Sequence, residues 1–153
     1  MAAAPAEEAR LAALLARGVG RALAQLGYAG LLEVPLANGR RADVLALGRR
    51  GEVAIVEIKS SLADFRADRK WPDYWEFCDR LYFAVASDFP RDLIPAECGL
   101  IIADPFGAAV LRPSPVRPLA AARRRAMTLR FALLGAQRLH RALDPGATDE
   151  ALL

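Results

Sequence analysis

Histidine occurs once in this 153-residue chain, at position 140, so neither histidine-based catalysis nor a histidine-rich metal site is supported. Cysteine occurs twice, at 78 and 98, which is too few and too irregular for a disulfide framework or a zinc site. A reducing compartment is the default for such a chain. No run of about 18 uncharged apolar residues is present, and no membrane span is expected. The opening Met-Ala-Ala-Ala-Pro-Ala-Glu-Glu has no basic flank ahead of an apolar run, so it does not read as a secretory signal. Lysine is nearly missing too: Lys59 and Lys70 are the only two. In an arginine-rich chain they hint at positions where a compact, tunable charge is needed. Acid is absent from residues 105–143, which hold eight arginines, whereas the ten residues after them hold three acids and no base. A block of unrelieved positive charge suits a polyanionic partner.

What is present reads as one domain, residues 7–143, between a flexible N-terminus (1–6) and a frayed acidic tail (144–153). Helical spacing of Leu11, Leu15, Val19, Ala22 and Leu26 predicts a helix over 7–26, stopped by Gly27. Strands are expected at 31–36, 41–47, 53–59, 80–86, 99–103 and, on an edge, 108–111. Asn38-Gly39 is a hairpin turn signal. Ser60 or Ser61 can cap a helix over 62–78, which Pro72 must bend or divide. Residues 119–142 predict a last helix after Pro113, Pro115 and Pro118. A meander followed by a strand–helix–strand crossover gives an α/β fold, a mixed β-sheet flanked by helices.

The chemistry concentrates in two of these strands. Pairing Leu47 with Val53 sets Asp43 opposite Glu57 and Arg41 opposite Lys59, with all eight odd-numbered residues from 41–47 and 53–59 on one face. Ala42, Val44, Ala46, Ala54, Val56 and Ile58 form the other face. Facing carboxylates about 5 Å apart at Cβ repel unless a cation or a proton intervenes. A hard divalent ion such as Mg²⁺ accepts such ligands, with the Ile58 backbone carbonyl as a third, and Lys59 is placed to hold a water or a phosphate. The alternative is a salt-bridged sheet end, in which Arg41 and Lys59 neutralise Asp43 and Glu57.

Together with segments further along the chain, these residues resemble a known family. Arg41-Ala42-Asp43-Val44 … Glu57-Ile58-Lys59-Ser60 looks like the core of the PD-(D/E)XK nuclease superfamily. Asp64-Phe65-Arg66-Ala67-Asp68-Arg69-Lys70-Trp71-Pro72-Asp73-Tyr74, then Cys78-Asp79-Arg80-Leu81-Tyr82-Phe83-Ala84-Val85 and Gly99-Leu100-Ile101, resemble the MmcB-like DNA-repair family within it. The resemblance covers about residues 10–140. It implies a restriction-endonuclease-like core, Mg²⁺ or Mn²⁺ held by Asp43 and Glu57, and Lys59 as catalytic lysine. It also implies DNA and other repair proteins as partners, in the bacterial cytoplasm at the nucleoid. Ala42 stands where the superfamily often has proline. A further acid, often supplied there by the first helix, is not assigned: Glu7, Glu8 and Glu33 are candidates. A two-residue turn at Asn38-Gly39 would put Glu33 on the face opposite Asp43.

Candidate DNA contacts are Arg41, Lys70, Tyr74, Arg123 and Arg130. Lys70 and Tyr74 would meet a phosphate or a base, while Trp71 reads as an anchor of its helix on the sheet. Asp64 and Asp68, one helical turn apart, read as solvated or capping residues. On the last helix Arg123, Arg130 and Arg141 fall within about 20° of one another. That row is either a phosphate-tracking stripe or a solvated ridge. His140 reads as a surface or helix-end residue.

Overall fold

The alanine-rich N-terminal stretch folds into α1 (Pro5–Gln25), with proline in its first turn and Glu7 and Glu8 beside its positive end. It starts two residues earlier than its apolar spacing indicates. The structure is a computed structural model that describes residues 4–146. The remaining parts of the expected flexible N-terminus and acidic tail lie outside the described residues. Six strands come after α1: β1 (Tyr28–Pro35), β2 (Arg41–Gly48), β3 (Val53–Ile58), β4 (Arg80–Val85), β5 (Gly99–Ala103) and β6 (Ala108–Arg112). They form one sheet in chain order, β3–β4 and β4–β5 parallel and the other pairs antiparallel.

Between β3 and β4, Ser61 caps the short α2 (Leu62–Ala67) by accepting the Asp64 amide at 3.0 Å. Pro72 starts a separate 3₁₀ helix over Trp71–Phe77, so proline divides the expected 62–78 helix in two. The last helix, α3 (Ala121–Leu143), comes after the proline-rich connector. Among the described residues, no helix is long and apolar enough to cross a membrane.

Strand alternation builds two cores. Leu15, Val19 and Leu23 of α1 cover Val44, Ala46, Ala54, Val56 and Ile58 on one face. Met127 and Leu134 of α3, with Tyr74 and Phe77, cover Leu45, Val53, Ile55, Leu81 and Phe83 on the other. Gly18 lets α1 come down on the β5–β6 turn, where an added Cβ would lie 1.8 Å from the Asp104 carbonyl oxygen.

The α3 end is fixed by Asp79, which is buried. Its carboxylate accepts the amides of Val53 and Leu119, each at 2.8 Å, and the Arg124 guanidinium at 2.6 and 2.7 Å. Burial opposes the charge on Asp79, but these donors outweigh it and hold the carboxyl below the usual range.

Candidate metal centre

At the loop end of the hairpin the register is as the sequence implies, with Leu47 opposite Val53 and Leu45 opposite Ile55. The ladder then stops at Val44↔Val56. Beyond it β2 stays with β1 (Val34↔Ala42, Pro35↔Arg41), while β3 stays with β4 (Glu57↔Phe83, Ile58↔Ala84). Lys59 also belongs to that side, its amide bonding the Ala84 carbonyl at 3.0 Å. The expected cross-strand pairs Asp43–Glu57 and Arg41–Lys59 are therefore not ladder pairs, because the strands diverge before reaching them. Alternation also slips at Asp43: Ala42, expected beside Val44, packs in the α3-side core instead.

The two carboxylates close the gap in place of the ladder. The Asp43 amide donates to Glu57 Oε1 at 3.1 Å, and the Ile58 amide donates to Asp43 Oδ2 at 2.8 Å. Each acid thus orients itself on the other strand's backbone. The second oxygen of each carries no hydrogen bond within the described residues. Burial raises the pKa of both, the ionised Asp43 pushing Glu57 further up.

The neutralising salt bridges of the alternative reading do not form. Lys59, only 6% exposed, gives its ammonium to Asp68 at 2.8 Å and lies 3.8 Å from Asp64. Asp68 is itself fixed by the Lys70 amide at 3.0 Å. Asp64 and Asp68, read from the sequence as solvated or capping, are the lysine's partners. Their spacing of one turn from each other, at the two ends of a helix that Ser61 caps just after Lys59, was the available signal. Arg41 reaches Glu33 at 3.7 Å, between exposed side chains.

Arg41, Asp43, Glu57, Ile58, Lys59 and Tyr74 all line one cavity of about 800 Å³. Its other walls are Asp64, Ala67 and Asp68 on the α2 side, Leu32 and Glu33 of β1, and Ala9, Ala12, Ala13 and Ala16 of α1. The helix wall is alanine, and neither Glu7 nor Glu8 lines it. Glu33 does, which corrects its expected placement. The turn holds three residues, Ala37-Asn38-Gly39, with Leu36 bonded to Arg40 across it and Gly39 at φ 83°. One extra loop residue shifts the register and sets Glu33 across from Asp43 between Leu32↔Val44 and Val34↔Ala42. Glu33 takes φ 50°, a left-handed conformation costly for a non-glycine residue. Arg138 of α3 clamps that kink by donating to the Leu32 and Glu33 carbonyls.

Other expected contacts separate from the cavity or change role. Tyr74 is buried, its hydroxyl donating to the Arg41 carbonyl at 3.0 Å, so its ring is part of the core and offers no face for stacking. Trp71 packs edge-on to Phe83, as an anchor should. Lys70 is exposed. Arg123 lies over the Phe77 ring at 4.7 Å and Arg130 donates to the Pro35 carbonyl at 3.0 Å. Both lie on the side of α3 that carries the buried Met127 and Leu134. His140 sits in the last turn of α3, 4.0 Å from Asp144.

Among the described residues, no three histidine, cysteine or acidic side chains form a ready-made metal cage. A buried and a half-buried carboxylate with an oxygen each to spare do fit Mg²⁺ or Mn²⁺, since Mg²⁺ binds through one or two carboxylates and keeps several waters. A sequence model of the DNA repair protein MmcB-like family matches residues 2–146. The chain belongs to that family. A solved structure titled "SPO1766 protein of unknown function from Silicibacter pomeroyi" is 46% identical, with a TM-score of 0.86, over 88% of this chain and 92% of that one. No curated protein matches. Membership gives the chain a place in DNA repair.

Proposed function

We propose that this protein is a PD-(D/E)XK-type, Mg²⁺- or Mn²⁺-dependent nuclease that hydrolyses phosphodiester bonds of DNA during repair. One observation supports this reading above the others. Glu57, buried, and Asp43, half-buried, lie side by side without a cation of the chain on either, at a break in the sheet where both line a cavity. Burying two such acids costs free energy that an ion would return.

Asp43 and Glu57 would hold the ion, with the Ile58 carbonyl as a further oxygen donor. Such an ion supplies Lewis acidity toward a phosphate and makes water more acidic. Lys59 would act beside it. An ammonium has three donors, and Asp68 takes one at 2.8 Å, which leaves a proton to give to a phosphate oxygen or to an attacking water. Asp68 holds that ammonium in place. The Tyr74 hydroxyl, by holding the Arg41 carbonyl, steadies the start of β2 next to Asp43.

The rival reading is a DNA-binding or partner-binding repair accessory that keeps the fold without cleaving. It is favoured by the drawing of Lys59 toward α2 and by the lack of an acid on the α1 wall. Divalent-ion titration by calorimetry, then cleavage assays on labelled DNA, separates the two. The nuclease reading expects binding and cleavage that are both lost in Asp43→Asn, and cleavage alone lost in Lys59→Met. An ion-binding protein that cleaves no DNA form would sink it in favour of the accessory.

A further inference from the structure

The two cations that line the cavity are both paired, Arg41 with Glu33 and Lys59 with Asp68. Arg66 lies on α2 between Asp64 and Ala67 of the cavity wall, and Arg69 and Lys70 come shortly after. All three are exposed, and the side chain of none makes an ion pair or hydrogen bond among the described residues. The acids close to them are committed elsewhere: Asp64 and Asp68 to Lys59, and Asp73 to Arg40 at 3.2 Å. Three uncompensated positive charges within five residues repel one another, and folding makes no use of them.

The opposite wall is apolar at Ala9, Ala12, Ala13, Ala16 and Leu32, and its Glu33 is paired with Arg41. The arginine-rich α3 does not make up for it. Arg124 is tied to Asp79, Arg130 to the Pro35 carbonyl, Arg138 to the Leu32 and Glu33 carbonyls, and Arg123 to the Phe77 ring. The positive block that stands out in the sequence is largely spent inside the fold, whereas Arg66 of α2 and Arg69 and Lys70 just after it stand beside the cavity without a partner for their charge.

We propose that Arg66, Arg69 and Lys70 form the phosphate-tracking edge of this cavity, and that its occupant is a single strand of DNA. The backbone runs along α2, and the bases lie against the alanine wall of α1. A duplex carries phosphates on both strands and hides its base faces in the stack. A cleft with charge on one wall and apolar surface on the other matches one backbone with unpaired bases beside it. This inference rests on the nuclease reading for the choice of DNA, but not for its measurement.

The test is fluorescence anisotropy with the full chain in EDTA, using a labelled single-stranded oligonucleotide and the duplex of the same sequence. Arg66→Ser/Arg69→Ser/Lys70→Ser is compared with Arg49→Ser/Arg50→Ser/Arg125→Ser, which removes equal charge from exposed positions without ion pairs among the described residues. Wild type should bind single strand about tenfold tighter than duplex, with a slope of log affinity against log salt near −2, as about three single-strand phosphate contacts require. The α2 variant should lose about tenfold and flatten that slope, while the matched control stays within about twofold. Duplex binding as tight as single-strand binding, equal loss in both variants, or no DNA binding at all would overturn the proposal. Binding through α2 without cleavage in Mg²⁺ leaves it standing and removes the nuclease reading. Cleavage with unchanged affinity in the α2 variant does the reverse.

Discussion

Metal-free protein should lose stability as the solution becomes alkaline, and Glu57→Gln should remove most of that loss. Burial, then the charge of Asp43, lifts the Glu57 carboxyl from 4.5 to about 8. A raised folded-state pKa means that the folded chain keeps a proton the unfolded chain has released. Its contribution is fully present below the unfolded value of 4.5 and is withdrawn as the pH rises through the folded value near 8. Each unit in that window costs about 1.4 kcal/mol, so the whole climb withdraws on the order of 5 kcal/mol. Domains have only about 5–15 kcal/mol in total. Glutamine keeps the shape and an oxygen for the Asp43 amide, and it has no proton to lose. Thermal unfolding in EDTA should therefore give equal midpoints for the two proteins in acid. At the alkaline end the midpoints should separate by about 10 °C or more, at about 2–4 °C per kcal/mol. Excess Mg²⁺ should raise the wild-type alkaline midpoint and leave the variant nearly unmoved. Parallel curves across the whole range would refute the buried, charge-burdened pair.

The geometry sets three further outcomes. Asp79→Ala strands the Val53 and Leu119 amides and the Arg124 guanidinium, and should cost about 3–5 kcal/mol in urea unfolding; a loss below about 1 kcal/mol would deny its role as a hub. Gly18→Ala drives a Cβ into the Asp104 and Gly107 carbonyls and should destabilise strongly, whereas Gly20→Ala, with nothing within 4 Å, should stabilise by about 0.5–1 kcal/mol. With only two lysines in the chain, reductive methylation and mass spectrometry read each one: Lys70 should react at least about tenfold faster than Lys59, and equal rates would mean that the Asp68 ion pair does not hold in solution.

The strands, the β2–β3 hairpin and the nearness of Asp43 to Glu57 were legible in the sequence because alternation and turn chemistry are local. The break at Asp43 was not. It comes from β2 staying with β1 while β3 stays with β4, a choice made by two further strands. Glu33 was misplaced by one residue of loop length, since Asn-Gly serves in both two-residue and three-residue turns and the parity of the whole strand depends on which forms. The contacts of the α3 arginines were hidden for a related reason. Composition counts charges, but only packing shows that Arg123, Arg124, Arg130 and Arg138 are spent on a ring, a carboxylate and the backbone of an edge strand. The same commitment left the quieter Arg66, Arg69 and Lys70 as the surface to watch.

The reciprocal bonds of Asp43 and Glu57 make the site its own reporter. Two backbone amides, those of Asp43 and Ile58, are held by the very carboxylates that would take an ion. Whatever neutralises or stiffens those acids must change how often these two amides open to solvent. Their hydrogen-exchange rates should slow together on ion binding, while the amide of Ala46, inside the intact ladder opposite Ala54, stays as it was. Occupancy can then be tracked without substrate, label or turnover, at the place where β2 and β3 part.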